Sequence, residues 1–219
     1  MKLTIFAATG GIGRNMLEQA VDAGHEVTAV ARTPASLSRQ VHAVQADLTD
    51  PDPDALAAAV LGADAVLSGL GPRGLSQVGV VSAGTKAIIA AMKTAGARRL
   101  LIVSAAPVAS TPSPGRPDTP RYDPRDGFLA GRVLTPLLRV VFGKQYTDLA
   151  LTEDELRDSG LDWTSVRPPR LTNGPHTERY RVGYGHNAGR SISRADAADA
   201  MLRLVTDDQA IGEPVGIGY

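Results

Sequence analysis

Short apolar runs alternate with amphipathic stretches along most of this chain, and that rhythm limits its fold more than any other feature. Leu3 to Ala8 is an apolar run that ends in glycines, the pattern of a buried strand. Arg14 to Ala23 places Leu17, Ala20 and Val21 on one helical face, and Gly24 stops it. Glu26 to Ala31 and Ala43 to Ala46 are the next strands, and a helix is predicted near Pro53 to Leu61. Ala65 to Leu70 is a fourth strand, Val78 to Ala95 a long helix stopped by Gly96, and Leu100 to Ala105 a fifth strand. Short connections between such elements specify βαβ units and a parallel sheet covered on both faces.

The rhythm breaks at Pro107. From there to Arg125 the chain is rich in Pro, Ser, Gly and Asp and reads as a long loop. It belongs to an insertion of about residues 106–145 after the fifth strand. The apolar patch Leu134 to Phe142 is read as a short helix packed on the body, with a lid or a dimer contact as alternatives. Helix resumes from about Gln145 to Asp158, and its acidic run Glu153-Asp154-Glu155 reads as a solvated face. Trp163 to Val166 is a sixth strand, Arg194 to Val205 a last helix, and Pro214 to Ile217 an edge strand. At 219 residues, without internal repeats, one domain is expected.

Composition narrows the function classes. The formal net charge is +0, which gives no electrostatic reason to bind nucleic acid or an anionic membrane. The absence of cysteine excludes disulfides and thiol catalysis. No apolar run approaches the roughly 18 residues of a membrane span, and the first residues lack a signal-peptide pattern. A soluble cytoplasmic protein is expected.

Gly10, Gly11 and Gly13 lie between the first strand and the first helix. Without side chains there, backbone N–H groups can approach a diphosphate, and the helix N-terminus favours its charge. Thr9, Ile12 and Arg14 complete the loop. Its spacing resembles the Gly-Ala-Thr-Gly-x-x-Gly loop of the atypical short-chain dehydrogenase/reductases, the NmrA-like NAD(P)H-binding group. Ala7 stands in place of that group's first glycine. After the second strand comes Ala31-Arg32-Thr33, with no acidic residue for a ribose 2′-hydroxyl. An arginine there suits the 2′-phosphate of NADP, the alternative being a solvated strand end. Asp47-Leu48 matches the family's adenine-edge position, while a turn or helix cap is the alternative for Asp47.

Alcohol dehydrogenation by a Tyr-x-x-x-Lys pair is not expected. None of the five tyrosines has lysine four residues on; Tyr146 is followed by Ala150 and Tyr122 by Asp126. The four histidines lack ligand spacing, Gly-x-Ser-x-Gly does not occur, and no metal is expected. Ser104 remains at the end of the fifth strand, where open α/β sheets bind ligands. A hydroxyl that satisfies local backbone is its alternative reading.

Several further stretches resemble the flavin reductase/biliverdin-IXβ reductase branch of the same group. They are Leu70-Gly71-Pro72-Arg73, Gly84 to Gly96, Ser159-Gly160-Leu161, Arg167-Pro168-Pro169-Arg170 and Ile192-Ser193-Arg194-Ala195-Asp196. The resemblance implies a Rossmann-like, doubly wound parallel sheet. It puts Leu70, Gly71 and Arg73 along the nucleotide, with Arg73 helping to hold the 2′-phosphate, and Ser104 beside the nicotinamide. Arg170 stands where the branch has a pocket histidine. That departure counts against biliverdin as substrate, and an arginine there suits an anionic group such as a flavin phosphate; a surface salt bridge is the alternative. The expected activity is hydride transfer from NADPH to a flavin or quinone-like acceptor, with Ser104 and Arg170 at the reacting end. The alternative is a non-catalytic NADP(H)-binding redox sensor of NmrA-like type. Monomer and dimer both remain open.

Overall fold

Strands that are apolar on both faces must be covered on both faces, and in the computed structural model they are. The structure describes residues 1–71, 74, 77–120 and 135–219. In chain order the strands are β1 (Lys2–Phe6), β2 (Glu26–Ala31), β3 (His42–Gln45), β4 (Ala65–Ser68), β5 (Arg99–Val103), β6 (Asp162–Arg167), β7 (Arg170–Thr172), β8 (Arg181–Tyr184), β9 (Ser191–Ser193) and β10 (Glu213–Gly218). The main sheet has the order β3-β2-β1-β4-β5-β6-β10-β8. All its pairings are parallel except that of β8 with β10. β7 and β9 form a separate parallel pair.

The strand order turns back at β1, whose neighbours are β2 and β4. Open α/β sheets bind ligands beyond the carboxyl ends of the strands at such a switch point. The register aligns those ends: Phe6 is opposite both Val30 and Ser68. The segments that follow β1, β2 and β4 therefore emerge side by side.

Helices α1 (Gly11–Asp22) and α5 (Arg194–Leu204) cover one face, burying Met16, Leu17, Ala198 and Met201 against Leu3 and Ile5. Helices α2 (Pro53–Val60), α3 (Val80–Ala95) and α4 (Thr135–Arg157) cover the other, where Leu56, Ile88, Met92 and Leu156 pack on Phe6, Val66 and Leu100. Among the described residues, no helix is long and apolar enough to cross a membrane.

Two expectations change. The helix expected from Gln145 begins at Thr135, so the apolar patch is largely its amino end. Within that patch Val141 is exposed, Phe142 faces the cleft described below, and Leu134 lies outside the described residues. The strand expected at the sheet edge, Pro214 to Ile217, is interior, because β8 pairs along its outer side. The sequence of β8, Arg-Val-Gly-Tyr, is too short and polar to announce itself. Its Gly183 is required by close packing, since a Cβ there would lie 2.8 Å from the His186 ring.

The Ile-Ser-x-x-Asp stretch has a structural role. Ser193 caps α5, accepting from the Asp196 N–H. The buried Asp196 carboxylate accepts from the Thr177 N–H and hydroxyl, the Glu178 N–H and the Tyr219 hydroxyl, tying two distant segments to α5. Burial alone would raise its pKa, but these hydrogen bonds outweigh it and bring the value down to about 2. A carboxylate with a depressed folded pKa stabilises above its unfolded pKa of about 4, and that stability is lost as pH falls towards 2. The contribution is on the order of 2 kcal/mol. Urea unfolding at about pH 6 and pH 3 should therefore show a smaller acid-induced loss for Asp196→Asn than for wild type. Equal losses would place the acid sensitivity elsewhere.

Candidate active site

A cleft of about 600 Å³ runs along the carboxyl ends of the central strands. Its floor is the glycine loop. The Gly10 N–H donates to the Ala7 carbonyl at 2.8 Å, closing a tight turn. Ala7 itself has φ 55°, a left-handed conformation that costs a non-glycine residue about 1–2 kcal/mol. The loop thus keeps the shape a glycine would take, with an alanine in it. Gly13 cannot carry a side chain, because its Cβ would lie 2.1 Å from the Ala7 carbonyl oxygen. Gly69 packs against this same point, 2.9 Å from the Gly13 nitrogen by the same measure.

No side chain caps α1, and its first turn holds no acidic residue. Its leading N–H groups are therefore directed at the cleft, as an anion site requires. Thr9, Gly10, Gly11 and Ile12 line the cleft, with Gly13 packed beneath them. Arg14 is not on the cleft wall; it is exposed and pairs with Glu18 at 3.7 Å. At the other end of the loop, Arg32 is exposed and borders both the cleft and a small polar recess formed with Thr9, Thr33 and Ser36.

Asp47, Leu48 and Thr49 form the adjoining wall. Asp47 accepts from the Thr49 N–H at 3.0 Å and from the Thr49 hydroxyl at 2.8 Å. These bonds, with the nearby Arg32 charge, hold its carboxyl below the usual range. Asp47 is thus both a turn residue and a cleft residue. Leu70 and Gly71 continue the wall, and Arg73 lies outside the described residues.

Ser104 is buried on the cleft wall, directly after β5. Its N–H donates to the Val166 carbonyl at 2.7 Å. Its hydroxyl donates to Glu153 Oε1 at 3.0 Å. Glu153 corrects the expectation of a solvated acidic face, since it is 0% exposed. Helical spacing turns Glu153 and Leu156 towards the sheet and leaves Glu155 outside, near Lys86. Asp154 faces the insertion and accepts from the Ser113 hydroxyl and the Gly115 N–H, both at 3.0 Å. The Glu153 carboxylate also accepts from Ser165 at 2.8 Å, from Arg157 at 3.2 Å, and from two nitrogens of the buried Arg167. Burial pushes its pKa up, but the Arg167 hydrogen bonds and charge outweigh that and keep it ionised. An ionised carboxylate only accepts. The Ser104 proton is therefore committed inwards, and the hydroxyl offers the cleft an acceptor lone pair.

α4 closes the cleft over Ser104 with Phe142, Gln145, Tyr146 and Leu149. Asp148 anchors the helix by accepting from the Val81 N–H at 3.1 Å, the Ser82 N–H at 3.2 Å and the Ser82 hydroxyl, so capping α3 from outside it. The cleft-facing pairs at i and i+4 are Phe142 with Tyr146 and Gln145 with Leu149, and neither is a tyrosine followed by a lysine. Burial raises the pKa of Tyr146 further. The Phe142 and Tyr146 rings lie 6.2 Å apart.

Arg170 is exposed at the start of β7 and is not on the cleft wall. Strand alternation turns its neighbour Leu171 to the cleft instead. At this position the cleft wall carries Leu171 rather than Arg170. Three groups escaped the sequence reading: Glu153 with Arg167, the cleft face of α4, and Arg194, which lines the cleft from the start of α5. The Arg-Pro-Pro stretch contained one of them, with nothing to mark it as an ion pair to α4.

A parallel switch-point cleft floored by a glycine loop defines a nucleotide-binding α/β protein. The NAD(P)H-binding family model matches residues 7–208, and the chain belongs to that family. Solved structures share the whole architecture. The oxidoreductase YlbE from Lactococcus lactis is 21% identical, with a TM-score of 0.78 over 100% of this chain and 91% of its own. SP1627 from Streptococcus pneumoniae, a candidate NADH-flavin reductase, is 24% identical, with a TM-score of 0.74 over 99% and 98%. ChuY, an anaerobilin reductase from Escherichia coli O157:H7, is 21% identical, with a TM-score of 0.74 over 99% and 96%.

Proposed function

We propose that this protein is an NADPH-dependent reductase of a planar, flavin-like or quinone-like acceptor. The observation that carries the reading is the end of the cleft at Ser104. There Phe142, Tyr146, Leu149 and Leu171 form apolar walls around one inward-anchored hydroxyl. Such walls suit a flat, poorly hydrated ring, and the site has no alcohol-dehydrogenase pair. The names of SP1627 and ChuY, a candidate NADH-flavin reductase and an anaerobilin reductase, agree with a reductase reading.

In this reading the amides from Gly10 to Gly13 hold the diphosphate, and Arg32 with Thr9, Thr33 and Ser36 holds the 2′-phosphate. Asp47 and Leu48 border the adenine, and Leu70 and Gly71 the adjoining ribose. Ser104 accepts a hydrogen bond from the carboxamide, fixing the ring's orientation. The bound nicotinamide supplies the hydride. The apolar walls stack and orient the acceptor and exclude water, which is most of what such a reaction asks of a protein. Purified protein should oxidise NADPH faster than a protein-free control with at least one of FMN, FAD and a short-chain quinone. Tight nucleotide binding without turnover of any acceptor would favour the non-catalytic sensor.

Arg32 should set the choice of nucleotide. A charged hydrogen bond is worth about 1.5–3 kcal/mol, so Arg32→Ala should weaken NADPH roughly 10- to 100-fold. NADH lacks the 2′-phosphate and should change little. Rising salt should erode the wild-type preference, because the contact is exposed. Paired titrations read both effects. A variant that keeps the full preference would remove Arg32 from this role.

A further inference from the structure

Arg194 is the first residue of α5 and lines the cleft, outside the recess that Arg32 borders. Its Cδ and Nε stand 2.7 and 2.8 Å from the place a Gly11 Cβ would occupy, so the side chain crosses directly over the first residue of α1. Nη1 donates to Asn173 Oδ1 at 2.6 Å, which steadies the guanidinium in that pose. Among the described residues no carboxylate pairs with it, whereas Arg203 on the same helix pairs with Asp199 and Glu178. A cation at a helix N-terminus also opposes the helix dipole. Arg194 therefore does nothing electrostatically useful for α5.

Two positive features meet across Gly11: the uncapped amino end of α1 and an arginine without an ionic partner. An anion between them would complete both. We propose that Arg194 clamps the diphosphate of the bound dinucleotide against the amino end of α1. The proposal rests on the nucleotide lying along the cleft as argued above. It gives Gly11 a second purpose, because any side chain there would displace the arginine. The diphosphate is common to NADPH and NADH, so the clamp adds affinity without selecting between them. Arg32 selects between them, so the two arginines have separable signatures.

The test is a set of titrations with NADPH, NADH and adenosine 2′-monophosphate, which carries the 2′-phosphate but no diphosphate. Arg194→Ala should weaken both dinucleotides by the same factor, about tenfold or more, and leave adenosine 2′-monophosphate unchanged. Arg194→Lys should recover part of the loss. Arg32→Ala should show the converse pattern, weakening adenosine 2′-monophosphate and NADPH but not NADH. The ligand-free melting temperature of Arg194→Ala should not fall. Unchanged dinucleotide affinity, a loss confined to NADPH, an equal loss for adenosine 2′-monophosphate, or a lower ligand-free melting temperature would each overturn the clamp alone. Failure of the wild type to bind either dinucleotide would overturn the nucleotide's placement together with the clamp.

Discussion

Glu153→Ala should cost about 3–5 kcal/mol of folding stability, the range found when one partner of a buried ion pair is removed. The carboxylate is 0% exposed and the Arg167 beneath it 2%. Truncation leaves the Arg167 charge desolvated, and the Ser104 and Ser165 hydroxyls lose their acceptor. Exposed pairs such as Lys86 with Glu155 are worth roughly 0–1 kcal/mol and offer the internal contrast. Because most of the penalty is the stranded charge, Glu153→Leu combined with Arg167→Met should recover much of it. The single tryptophan, Trp163, lies on β6 and reports urea unfolding directly. A loss below about 1 kcal/mol for Glu153→Ala would show that solvent reaches the Arg167 guanidinium and compensates its charge.

Gly13→Ala should abolish nucleotide binding at ordinary concentrations, an effect of at least about a hundredfold. The new methyl would meet the Ala7 oxygen at 2.1 Å, the Ala7 carbonyl carbon at 2.8 Å and the Ala8 Cα at 3.1 Å. All three are backbone atoms of the loop that presents the amides, so relief of the clash moves the binding groups themselves. Neighbouring glycines grade the effect. A Cβ on Gly10 comes within 3.1 Å of the same oxygen, which calls for a shift of a few tenths of an ångström. A Cβ on Gly71 meets nothing within 4 Å. Fluorescence titration with NADPH should rank the alanine variants Gly71, Gly10, Gly13 from least to most damaged. Wild-type affinity in Gly13→Ala would contradict the packing of the loop.

The parts of the fold that were legible in the sequence are those governed by local pattern. The first six strands are apolar runs bounded by turns, and their positions agree with the structure to within about two residues. β7, β8 and β9 have only three or four residues each, too few for alternation or an apolar run to mark them. β10 was visible as a strand, but its place inside the sheet depends on a partner that was not. The same division holds for the site. The glycine loop, Arg32 and Asp47 lie within a few residues of a strand end, where chain direction alone sets their position. Ser104 and Glu153 are far apart in sequence, as are Gly11 and Arg194, and only the folded sheet brings each pair together. Arg170 and Leu171 are neighbours on β7, and only the fold shows that strand alternation puts Leu171 on the cleft wall.

The central claim is that the nucleotide lies across the switch point with its reacting ring at the Ser104 end, and a crystal structure of the NADPH complex tests it most directly. The account predicts the diphosphate on the amides of Gly10 to Gly13, the 2′-phosphate within hydrogen-bond distance of Arg32, and the carboxamide donating to the Ser104 hydroxyl beneath Phe142 and Tyr146. A nicotinamide turned away from Ser104, or a 2′-phosphate in contact with groups other than Arg32 and its neighbouring hydroxyls, would contradict it.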